Sequence, residues 1–235
     1  MDNQEFLRVI SNSFSTFLET GSRSNEKLKI LHGAIARDLL QRLGPGYNIN
    51  SLGINDGKEG NIEGRYIDKK VDITILHRNQ VVAGIGVKFV MQNYSQNSNN
   101  YFENMLGETA NIRCSDIPYF QIFIIPEKLP YYKNNGDFQK WEIFTHHNAN
   151  KYLKLSEDNT DIYIHTPTQT LLFVINLPAM QYDPVDKDEY NDFYRQMRTI
   201  PVSSSNTNYG NFNHSVVLND YEEFATKVVH FILSR

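Results

Sequence analysis

The stretch Val71–Val90, VDITILHRNQVVAGIGVKFV, constrains this chain more than any other. Val71, Ile73 and Ile75 alternate with Asp72, Thr74 and Leu76, and Val81–Val90 is dense in β-branched residues. A period of two predicts strands with one buried face. The polar segment His77–Gln80 between them has room only for a turn, so the two strands are expected to pair as a hairpin. Two charges stand inside this apolar pattern. Asp72 sits between Val71 and Ile73, where a bare carboxylate is costly without a partner. Lys88 sits between Val87 and Phe89 in the second strand. Tight pairing puts Asp72 opposite roughly Ile85 or Gly86, with Lys88 one or two pairs further along. A carboxylate and an ammonium thus converge on one patch of sheet. The plain reading is a cross-strand ion pair on a solvated face. The sharper one is a site for a hard cation and a phosphate, because Mg²⁺ takes carboxylate oxygens and a nearby ammonium stabilises phosphoryl charge.

The segments around the hairpin read as alternating helices and strands. Residues 4–20 carry Phe6, Leu7, Ile10, Phe14, Phe17 and Leu18 on one helical stripe, and Gly21 stops it. A second helix spans about Asn25 to Leu43, with Ser24 as a cap, Leu28, Leu31, Ile35 and Leu39 as its stripe, and Gly44-Pro45 as its end. Tyr47–Leu52 fits a short strand. Residues 91–98 read as a polar loop and Asn99–Arg113 as a helix with Phe102, Met105, Leu106 and Thr109 inward. Tyr119–Ile125 is a buried strand closed by Pro126. Beyond it, Asp161–His165 and Leu171–Leu177 look like a strand pair, Asp186–Met197 a helix, residues 201–214 a mobile loop, and Tyr221–Leu233 a closing helix.

Composition sets the class. With 235 residues, 40% hydrophobic and 21% charged, the chain can bury one large core, and no Pro/Gly/Ser linker divides residues 1–235. Cys114 is the only cysteine, which excludes an internal disulfide and a multi-cysteine metal centre and fits a reducing cytoplasm. No basic and apolar leader opens the sequence, and no run of about 18 apolar residues predicts a membrane span. A net charge of −4 neither announces nor excludes a DNA partner, since a local basic groove decides phosphate contact.

An Asp on a strand, a short hairpin, and a carboxylate-x-Lys on the next strand form the PD-(D/E)XK pattern. Through Asp72, Lys88 and the order of elements over residues 25–125, this chain resembles the type II restriction endonucleases that carry it. Two positions depart from the pattern. Val71 stands where the family has Pro, and Gly86 stands where it has the second carboxylate. In some members that carboxylate comes from the following helix, which here carries Glu103 and Glu108. Glu103, fifteen residues beyond Lys88, has the better spacing, while Glu108 follows the small Gly107. A glycine within a strand marks a close approach, and Gly86 would leave room for either carboxylate. Glu26, in the second helix, matches an accessory Glu of the family and equally suits a helix N-terminus.

The resemblance implies an α/β fold with a mixed central β-sheet flanked by helices. It implies Mg²⁺ held by Asp72 with Glu103 or Glu108, Lys88 acting on water and phosphate, and site-specific hydrolysis of double-stranded DNA. It also implies a homodimer, a DNA methyltransferase encoded nearby, and recognition or dimerisation elements within 126–235. Gln92, Asn93, Gln96, Asn97, Asn99 and Asn100 would be DNA contacts, because Asn and Gln read adenine edges, although a solvated loop explains them too. Lys128, Lys133, Lys140, Lys151 and Lys154 make 128–154 locally basic, and His146-His147 fits a loop tip, or a base or phosphate contact, better than a metal motif. Two other readings stay open: a nuclease of the same superfamily acting in repair or phage defence, and a DNA-binding protein on a decayed nuclease fold.

Overall fold

A computed structural model describes residues 1–235. Asp2 opens α1 (Asn3–Thr20) by accepting from the Glu5 N–H, and Gly21 in left-handed backbone ends it. Gly44 ends α2 (Glu26–Leu43) in the same way. Five strands follow: β1 (Tyr47–Ser51), β2 (Gly60–Ile62), β3 (Lys69–Val71), β4 (Ile73–His77) and β5 (Gln80–Phe89). Then come α3 (Tyr94–Arg113), β6 (Tyr119–Pro126), the hairpin β7 (Lys128–Tyr132) and β8 (Phe138–Ile143), and α4 (His146–Ser156). β9 (Gln169–Asn176), α5 (Lys187–Arg195), β10 (Ser203–Ser204), β11 (Val216–Leu218) and α6 (Tyr221–Leu233) complete the chain.

The architecture is α/β with a mixed central sheet of order β1-β4-β5-β6-β9-β10, β11 lying beside β9. β1, β4 and β5 are antiparallel, while β5, β6 and β9 run parallel. All eight residues of β6 are buried, as a central parallel strand covered on both faces requires. Ile10, Leu31, Ile35, Phe224 and Val228 of α1, α2 and α6 pack on Ile75, Ile122 and Phe173 on one face. Met105 of α3 and Tyr152 of α4 pack on Phe123, Ile125 and Val174 on the other. No helix is long and apolar enough to cross a membrane.

The expected hairpin is β4–β5. Arg78 and Asn79 close it with positive φ at both residues, 52° and 66°, the two-residue geometry that matches strand twist. β4 begins at Ile73, opposite Ile85, whereas β5 runs on to Phe89 with β6 beside it. From Gly86 onward one edge of β5 is therefore uncovered, and the candidate site lies there.

Four local readings are corrected. The helix expected from Asn99 starts at Tyr94, because burying Tyr94 against Phe144 outweighs the weak propensity of the Asn-rich first turns. Asp161–His165 forms turns and no strand; the Arg113 guanidinium takes the Thr160, Tyr163 and Thr166 carbonyls at 2.7, 3.2 and 2.6 Å. Residues 201–214 are anchored by the fully buried Tyr209, packed on Phe144. His146 and His147 open helix α4 with exposed side chains and are not a loop tip.

Candidate active site

Asp72 occupies the break between β3 and β4. Val71 pairs with Gly60 of β2, while Ile73 pairs with Ser51 and Ile85, so the chain changes partners at this residue. The Ser51 hydroxyl donates to the Asp72 carbonyl at 2.7 Å. The Val87 N–H donates to Asp72 Oδ2, also at 2.7 Å. A side-chain carboxylate thus replaces the strand that β5 lacks from Gly86 onward. Burial pushes the Asp72 pKa up, against the pull of the Val87 amide, Lys88 and Lys69.

Lys88 reaches into the same cleft. Its ammonium lies over the Tyr101 ring, 4.1 Å from the centroid. Asp72 and Lys88 act on one another's charge, yet they form no ion pair and Lys88 has no hydrogen-bond partner in the protein. The plain cross-strand pair is absent. Burial lowers the Lys88 pKa, partly offset by Asp72.

The two helix carboxylates part company. Glu108 lines the cleft and pairs with Lys69 at 3.4 Å, whereas Glu103 is exposed and acts electrostatically on Lys151. Burial pushes the Glu108 pKa up; Lys69 opposes this, the neighbouring Asp72 adds to it, and the Tyr119 hydroxyl opposes it. Spacing along the chain favoured Glu103, whereas helical rotation brings Glu108 and not Glu103 to the cleft. The space over Gly86 is also occupied. A Cβ there would lie 2.4 Å from Tyr119 Oη and 2.7 Å from Gln121 Oε1. The glycine admits a tyrosine and a glutamine from β6, and Glu108 stands beside that tyrosine.

The cleft encloses about 550 Å³ between α2 and α3, over the ends of β5 and β6. Its α2 wall holds His32, 1% exposed, with neither ring nitrogen hydrogen-bonded. Burial lowers the His32 pKa to about 4 against the attraction of Glu59, so the ring is neutral. One ligand atom from each of His32, Glu59 and Asp72 lies within 4.8 Å of the others.

The remaining sequence candidates scatter. Gln92 lines the cleft. Asn93, left-handed at φ 50°, is tied to Tyr132 through both main-chain groups. Gln96, Asn97, Asn99 and Asn100 lie in the first turns of α3, with Gln96, Asn99 and Asn100 exposed. Glu26 is paired with Lys29 at the surface. Lys128 and Lys140 lie over Trp141 and Tyr131, Lys133 and Lys154 are exposed, and Lys151 sits among the rings of Tyr94, Phe102 and Tyr152.

Sequence reasoning missed His32, Glu59, Lys69, Tyr101, Tyr119 and Gln121. Two of them left a signal. His32 is an ionisable residue beside Leu31 on the buried stripe of α2, and Gln121 is the one polar side chain in YFQIFII. Glu59 lies in the Gly- and Asn-containing loop before β2, and the β2–β3 pairing carries it to Asp72, while Lys69 opens β3 three residues before Asp72. No family model, curated protein or solved structure matches the chain.

Proposed function

We propose that this chain is a Mg²⁺-dependent nuclease that hydrolyses double-stranded DNA at specific sites, as its resemblance to type II restriction endonucleases implies. One observation carries the reading. Lys88, half-buried and without an ion pair, shares a cleft at the open edge of a central strand with Asp72 and Glu108, two carboxylates that burial makes more basic. Clustered perturbed groups in a cleft are the mark of a working site. Asp72 and Lys88 have no ion-pair partner and Glu108 has only Lys69, at 3.4 Å, so a metal–phosphate complex would give the carboxylates a closer cation and the lysine an anion.

Asp72 and Glu108 are the oxygen donors that would hold Mg²⁺, the ligand type this hard cation takes. Bound there, the ion would act as a Lewis acid on the phosphate and lower the pKa of water. Lys88 donates hydrogen bonds to a phosphate oxygen and steadies the charge that builds as the water oxygen joins phosphorus and a P–O ester bond breaks. The Tyr101 ring lies under the Lys88 ammonium, and the Val87 amide fixes one oxygen of Asp72. On this reading Gln92 and the first turns of α3 face the duplex, and a two-fold homodimer cuts both strands, one per subunit.

The test is digestion of plasmid and phage DNA by the purified protein with Mg²⁺, with EDTA, and with Lys88→Ala. Discrete fragments that need both Mg²⁺ and Lys88 are expected. A smear would point to a nuclease without site specificity. Intact DNA on every substrate would favour the second reading, a DNA-binding protein on a decayed site. Gly86 is the observation behind that alternative, since Tyr119 and Gln121 fill the place of the usual carboxylate.

A further inference from the structure

His32 is hard to explain as a core residue. It is 1% exposed, and both ring nitrogens lack partners. A buried polar group without a hydrogen bond costs about 1–3 kcal/mol, so each one calls for a partner, and an imidazole offers either of two nitrogens to an ion. The ring does not sit among apolar groups alone. Glu59 and Asp72 bring carboxylate oxygens to within 4.8 Å of its ligand nitrogen and of each other. The Glu59 side chain is only 18% exposed, and its one ion pair, to the exposed Lys70, is loose at 3.7 Å.

We propose that His32, Glu59 and Asp72 form a second cation site, for a first-row transition-metal ion of the Mn²⁺ class. The ligand set carries the choice. Imidazole nitrogen is a poor ligand for Mg²⁺, which keeps to oxygen, whereas transition dications accept nitrogen and carboxylate together. An ion about 2.1 Å from three such ligands holds them roughly 3 to 3.4 Å apart, so closure of the present cluster brings all three within bonding reach and leaves the remaining positions to water or substrate oxygen. The neutral ring is the form that donates a lone pair. The three ligands come from α2, the loop before β2 and the β3–β4 break, so a bound ion would tie these elements together. Asp72 is shared with the proposed Mg²⁺ position. The two sites would therefore lie side by side, an oxygen site toward Glu108 and a nitrogen-containing one toward His32. Binding at His32 needs only these three side chains; a part in DNA hydrolysis rests on the nuclease reading above.

The experiment is Mn²⁺ titration of the full chain, followed by the electron paramagnetic resonance of free Mn²⁺, with His32→Leu, Glu59→Gln and Glu103→Gln in parallel. His32→Leu and Glu59→Gln are expected to weaken Mn²⁺ binding at least tenfold, and Glu103→Gln to leave it unchanged. Unaltered affinity in a folded His32→Leu overturns the proposal. Should that variant not fold, wild-type crystals soaked in Mn²⁺ decide: an anomalous peak beside His32 supports the site, and its absence refutes it. DNA digestion separates the two readings. Mn²⁺ at His32 in a protein that cuts no DNA keeps the ion site and ends the nuclease reading, while Mg²⁺-driven cutting without Mn²⁺ at His32 does the reverse.

Discussion

Gly86→Ala is the sharpest test of how the site is built. The family pattern puts a carboxylate at this position, so a larger residue would seem harmless or even restorative. The packing argues otherwise. The added methyl would stand 2.4 Å from Tyr119 Oη, 2.7 Å from Gln121 Oε1 and 3.3 Å from Tyr119 Cζ. Gln121 can turn its amide away. Tyr119 is held more firmly, 1% exposed and packed among Ile62, Val71 and Ile112. Overpacking of a well-filled interior costs about 1–3 kcal/mol. In a domain of this size each kcal/mol moves the melting temperature by roughly 2–4 °C. Gly86→Ala should therefore lower it by about 2–12 °C, and Gly86→Glu by at least as much, without gain of cleavage. Urea unfolding gives the free energy directly, provided the m-value is unchanged. Tyr119→Phe removes the closest clashing atom. In a double-mutant cycle the two substitutions should couple favourably by about 1 kcal/mol or more. A Gly86→Ala protein as stable as wild type, or a cycle with no coupling, would refute the account of this glycine.

Three further outcomes follow from the same geometry. Lys88→Met should cut cleavage by about 10²–10³-fold, the scale set by losing one donor to developing charge, with stability kept because burial already disfavours the ammonium; near-normal turnover would remove Lys88 from the site. Glu108→Gln should depress cleavage at least tenfold while Glu103→Gln leaves it near wild type, and the reversed ranking would show that α3 is rotated differently. Lys151, whose pKa burial lowers to about 8 against the attraction of Glu103, makes stability depend on pH. Between about pH 8 and its ordinary value of 10.5, the unfolded chain holds a proton that the folded chain has released. Folded wild type should thus gain on Lys151→Met as pH rises through that window, and parallel denaturation curves from pH 7 to 10 would contradict the burial of this amine.

The candidate site combines a rigid element with an economical one. Asp72 performs a structural task, capping the Val87 amide at an open strand edge, with the oxygen that also fixes its direction toward the cleft. Asp72→Asn can keep that hydrogen bond through its amide oxygen, so a folded but inactive protein is the outcome consistent with both roles. This substitution separates the chemistry from the scaffold better than Asp72→Ala, which leaves the Val87 N–H without its partner.

Local pattern alone determined the β4–β5 hairpin, the two N-terminal helices, the central strand β6 and the closing helix α6. Each has a strong period of two or 3.6 and clear stop signals, and these are properties of neighbours in sequence. The same pattern marked Asp72 and Lys88, because a charge inside an apolar strand stands out wherever the strand ends up. Where signals were weak, tertiary contacts decided. Burial of Tyr94 extended α3 past its Asn-rich start, and Arg113 held Thr160–Thr166 in turns. That Glu108 lines the cleft and Glu103 does not depended on how α3 is rotated above β5. Glu59 reached the site through the β2–β3 pairing, and His32 through the packing of α2 on β1, which leaves its ring beside Asp72. Sequence records which residues can form an element and which charges are out of place in it. Which side chains meet across different elements depends on rotation, register and offset, and those are fixed only when the elements pack together.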